Sequence, residues 1–73
     1  MSNKQEEKLK IPKGQILWET IHDGKGKIIQ IITSDATKSK WHLFNVSGEK
    51  LTKIETAIIP IFEKRIQFDA EED

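Results

Sequence analysis

Seventy-three residues with zero formal net charge, 36% of them hydrophobic and 33% charged, are enough for one small domain and no more. A chain of this size buries only roughly 60% of the surface its unfolded form exposes, so its core is shallow and its stability modest. The lack of cysteine excludes a disulfide framework and a thiolate metal site, and no apolar run approaches the ~18 residues that cross a bilayer.

Residues 1–13 are polar and charged, are broken by Pro12, and read as a flexible N-terminal tail. Met1 to Lys10 has no signal-peptide apolar segment, so a cytoplasmic protein without membrane contact is expected. Abundant isoleucine and lysine beside a single arginine, Arg65, point to an AT-rich genome, bacterial or phage.

From Gln15 the pattern becomes that of β-structure. Gln15 to Ile21 mixes apolar and polar residues in short alternation, as a half-buried strand does. Lys27 to Thr33 (KIIQIIT) sets five β-branched residues around one glutamine. Both of its faces are apolar, which predicts a central strand. Ser34 to Ser39 reads as a polar connection. Lys40 to Val46 predicts a third strand, with Trp41 and Leu43 on one side and His42, Phe44 and Val46 on the other. Ser47 to Lys50 is a tight-turn signal around Gly48.

The C-terminal third carries two patterns at once. Leu51, Ile54, Ile58, Phe62 and Ile66 recur at helical spacing, but Pro60 interrupts them and threonine and isoleucine are frequent. A fourth strand near Leu51 to Thr56, followed by a short element after Pro60, is the preferred assignment. The fold expected is therefore mainly β: one domain over residues 14–68, either an antiparallel meander or an SH3-like five-stranded barrel. The alternative is an α+β arrangement with a three-stranded sheet and a C-terminal helix. Residues 69–73, with four acids and no base, read as a solubilising tail rather than paired carboxylates of a site.

The stretch Ile21 to Ile29 (IHDGKGKII) looks most like chemistry. A P-loop needs a longer glycine spacing that ends in Lys-Ser/Thr and opens into a helix; here an isoleucine-rich strand follows. Asp23-Gly24 and Gly26 are explained as a hairpin connection requiring positive φ. Ser34, Ser39 and Ser47 lie in apparent connections with no nucleophile-elbow pattern. His22 and His42, twenty residues apart, have no third ligand at metal-site spacing. His42, within a strand, is expected to be packed and hydrogen-bonded. No catalytic residue, metal site or cofactor is assigned.

Two surfaces remain. Lys25, Lys27, Lys38 and Lys40 accompany Trp18, Trp41 and Phe44, the mixture that small barrels use to bind single-stranded nucleic acid. Against this, a domain so short needs its tryptophans in the core, and arginine, the better phosphate fork, is nearly absent. Lysines also serve to keep strand edges from pairing. From Lys8 to Lys53 nine lysines stand against four acids, a surplus of positive charge that either role uses. The second surface is Ile58, Ile59 and Ile61 around Pro60, more isoleucine than such a core easily hides. The function expected is a non-catalytic interaction module that binds a protein partner or a copy of itself. Nucleic-acid binding through the lysine-bearing strands is the alternative.

Overall fold

The computed structural model describes residues 9–66 of the chain. Strands β1 (Gln15–His22), β2 (Ile28–Asp35), β3 (Trp41–Ser47) and β4 (Lys50–Ala57) form one antiparallel sheet in the order β1-β2-β3-β4. Each strand pairs with its neighbour in sequence, so the topology is a meander, and the sheet does not close into a barrel. The described residues contain no helix. Residues 58–66 are an irregular segment that is neither the helix nor the strand considered for the region after Pro60. The acidic run at 69–73, Phe68 and most of the charged tail lie outside the described residues.

The isoleucine-rich stretch is β2, an interior strand, as its two apolar faces require. It runs two residues further than the sequence pattern marks, taking in Ser34 and Asp35 opposite Ile16 and Gln15. A bulge at Ile29 breaks the two-residue alternation: Ile21 faces Gln30 while His22 faces Ile28. Ile28 therefore joins Ile31 on one face, and Ile29 joins Ile32 on the other.

The two faces carry two cores. On the first, Ile28, Ile31 and Phe44 pack with Leu9, supported by Ile11, Val46 and Leu51. Leu9 and Ile11 belong to the stretch the sequence reads as tail, yet they are the cover of this face. On the second, Ile21, Ile32 and Leu43 pack with Phe62, flanked by Ile29, Trp41, Ile54 and Ala57. Each face of the sheet is thus covered by an irregular segment that flanks it, and the packed unit starts at least as early as Leu9.

Turn chemistry joins the strands. In the first connection Asp23 Oδ1 accepts hydrogen bonds from the backbone N–H groups of Lys25 (2.8 Å) and Lys27 (2.9 Å). Those donors hold its carboxyl below the ordinary value of 3.8. Gly26 has φ 87°, whereas Gly24 does not need a left-handed conformation, which narrows the expected glycine requirement to one position. Ser47 pairs with Lys50 across a two-residue turn whose first member, Gly48, has φ 64°. Gly26→Ala should therefore cost about 1–2 kcal/mol more than Gly24→Ala, the difference between a strained and an unstrained alanine. Equal denaturation midpoints for the two variants would contradict this account of the turn.

Candidate functional site

Phe62 is the only large apolar side chain of residues 58–66 that is buried, and it anchors the segment to the second face. The backbone beyond it is held by side chains of the sheet. Glu55 on β4 accepts from the N–H groups of Glu63 (3.1 Å) and Lys64 (2.8 Å) through its two carboxylate oxygens. Gln30, fully buried in β2, accepts from the N–H of Ile66 (2.8 Å) and donates to the carbonyl of Lys64 (3.2 Å) and to Asn45 Oδ1 (2.9 Å). A side-chain amide presents the same donor and acceptor as a peptide group, so Gln30 fastens the segment much as a neighbouring strand would. Arg65 completes the attachment with a two-pronged contact to Glu19 of β1.

This strap crosses the sheet without filling the space beside β1. A groove of about 550 Å³ opens there, lined by Thr20, Ile21 and His22 of β1 and by Pro60, Ile61, Phe62, Arg65 and Ile66 of the strap. Its walls mix apolar side chains with the polar groups of Thr20, His22 and Arg65, and its cation, Arg65, is already neutralised by Glu19.

The first face carries a polar row at one end. His42 is buried; its Nε2 lies 3.1 Å from Asp35 Oδ1, and its Nδ1 lies 3.2 Å from Oγ1 of Thr56, the residue directly across the ladder. Thr33 donates to Gln15 Oε1 at 2.6 Å in the same row. His42 is the packed, hydrogen-bonded histidine that its place in a strand predicts. The order acid, imidazole, hydroxyl resembles part of a hydrolytic triad, but the groove opens beside the strap on the other face, away from Thr56. No group of His, Cys, Asp and Glu among the described residues is arranged to hold a metal ion.

The four candidate lysines are all exposed but are not brought together. Lys25 and Lys27 stand in the β1–β2 connection, Lys38 and Lys40 in the β2–β3 connection. The eight residues of β2, at about 3.4 Å each, keep the two pairs roughly 25 Å apart at opposite ends of the sheet. The tryptophans are also less buried than a core role predicts. Trp41 is half-buried and Trp18 is 43% exposed, and the two rings meet edge to face with centroids 5.5 Å apart. Among the described residues Trp41 Nε1 has no acceptor although it is buried.

The candidate isoleucines stand out from the surface. Ile58 is 77% exposed, Ile59 53% and Ile61 71%. Ile16 and Leu17 of β1 are exposed as well, a feature the sequence alternation did not single out. Gln30 was also passed over; its signal is a lone amide in a run apolar on both faces, where burial demands partners.

Fold and strap together define a class: an open antiparallel meander whose faces are covered by its own flanking segments. Comparison with known protein families, curated proteins and solved structures gives no match to this chain.

Replacing Gln30 by leucine keeps the volume but leaves the Lys64 carbonyl and the Ile66 N–H without their partner. The variant should lose about 1–3 kcal/mol of stability, and the Ile66 amide should exchange with solvent faster than in the parent protein. Unchanged exchange at Ile66 would show that the strap is held without Gln30.

Proposed function

We propose that this protein is a small non-catalytic interaction module that works by docking a protein surface onto its exposed apolar side chains. The observation that carries the proposal is the exposure of Ile58, Ile59 and Ile61, three large side chains projecting from a strap that is itself firmly attached. Isolated exposed isoleucines are ordinary, but three within four residues on a fixed backbone form a patch that gains by being covered. The cysteine-free composition is in keeping with a reducing, cytoplasmic setting. No helix among the described residues is long and apolar enough to cross a membrane.

The test is affinity capture from the source cell after nuclease treatment, followed by rebinding of the identified partner in purified form. Ile58→Lys combined with Ile59→Lys should reduce that rebinding at least tenfold while leaving the fold intact, since neither side chain is buried. Rebinding unaffected by the double variant would remove the isoleucines from the interface.

The nucleic-acid alternative draws support from Lys38 and Lys40, which lie next to the Trp18–Trp41 pair at one end of the sheet. The separation of the lysine pairs and the zero net charge weigh against it. Single-stranded DNA should bind barely detectably even at low salt. Micromolar affinity at physiological salt, with a log–log salt slope of about −0.7 per contact and loss on changing Lys25, Lys27, Lys38 and Lys40 to glutamine, would reverse this assignment.

A further inference from the structure

The sheet has two edges, and they are not equivalent. The outer strand β4 carries Lys50 and Lys53, the kind of charged residue that discourages further strand pairing. The other outer strand, β1, is eight residues long and contains no lysine, no arginine and no proline. Its single acid, Glu19, is neutralised by Arg65. Three of its side chains, Ile16, Leu17 and Trp18, are large, apolar and exposed. An edge of this kind offers a row of backbone donors and acceptors flanked by apolar side chains, which is the surface an added strand recognises.

The bulge in β1 determines which strand fits. Ile16 and Ile21 are five residues apart and would lie on opposite faces of a regular strand. The register shift between Leu17 and Glu19 places the extra residue, Trp18, between them. Ile16 then faces Ser34 and Ile21 faces Gln30, both on the side of the sheet that carries Ile32. One strand therefore presents, on one face, an exposed apolar knob at its start and the groove beside Ile21 near its end. A knob and a socket on the same face, on either side of a central bulge, are what a twofold axis through that bulge requires.

We infer that β1 pairs antiparallel with β1 of a second copy of this chain, about a twofold axis at Trp18 and Glu19. Ile16 of each copy then lies opposite Ile21 of the other and covers the groove lined by Ile21, His22, Ile61 and Ile66. Leu17 faces Thr20 on the opposite side of the ribbon, and the two Trp18 rings approach each other beside Trp41. Zero net charge means that two copies meet without long-range repulsion. The contact is an edge pairing with one side chain per groove, so it belongs to the small, reversible class of interface. The inference rests on the interaction-module reading but uses the β1 edge and the groove rather than Ile58 and Ile59.

Sedimentation equilibrium of the purified chain, from about 10 µM to 1 mM, spans the affinities such a contact supports. The expected result is a rise from the 8.4 kDa chain mass to twice that value. Ile16→Lys and Ile61→Lys, at the knob and the groove rim, should each shift the midpoint at least tenfold to higher concentration. Ile58→Lys should leave it unchanged. A measurement on the parent protein needs no variant to fold: β1 amides should exchange more slowly as concentration rises, while β4 amides do not change. A single-chain mass at 1 mM overturns the inference, as does a dimer insensitive to Ile16→Lys or one whose protection appears in β4. A monomer at 1 mM that still rebinds a captured partner through Ile58 and Ile59 sinks the dimer and leaves the proposed function standing. A β1 dimer without any such partner does the reverse.

Discussion

The structure depends on one constraint: β2 is apolar on both faces and must be covered from both sides. A single four-stranded sheet supplies no second layer, and residues 9–66 contain no helix to provide one. The chain covers the sheet with the irregular segments that flank it, within residues 9–14 and 58–66. Leu9 and Ile11 lie on one face and Phe62 on the other, and each completes a cluster centred on β2 and β3. Burial of these few side chains has to offset the ordering of two segments that have no ladder of their own, a cost of about 1–2 kcal/mol for each backbone residue fixed.

That cost explains how the C-terminal segment is fastened. An irregular backbone brings donors and acceptors that burial leaves unsatisfied unless side chains reach them. Gln30 and Glu55 do so from two different strands, and Glu19 from a third holds the side chain of Arg65. The polar residues within the apolar strands are therefore attachment points. Their combined effect is to fix the exposed isoleucines in place and to leave the groove beside β1 open.

Much of this was legible in residue patterns. The four strands, the interior position of β2, the two tight turns and the packed state of His42 follow from alternation, β-branching and turn residues. The failures have a common cause. Pro60 broke the helical stripe but did not show that the following residues would be an irregular strap, because that depends on a Gln and a Glu distant in sequence. Leu9 lies in a stretch whose composition reads as charged tail, and only its packing on the first face makes it core. The tryptophans were assigned to the interior on size, whereas an open sheet has too little interior to hold both.

Local sequence alone determined the elements, because strand period and turn geometry are encoded within a few neighbouring residues. Tertiary structure alone decided which surfaces stay open. The lysine pairs were separated by the length of β2, which no single segment records. The bulge at Trp18 put Ile16 and Ile21 on one face, and that depends on the register with β2 rather than on β1 itself. The groove exists because a strap anchored at Phe62 and Arg65 passes beside β1 without pairing to it, a distance relation between residues more than forty positions apart.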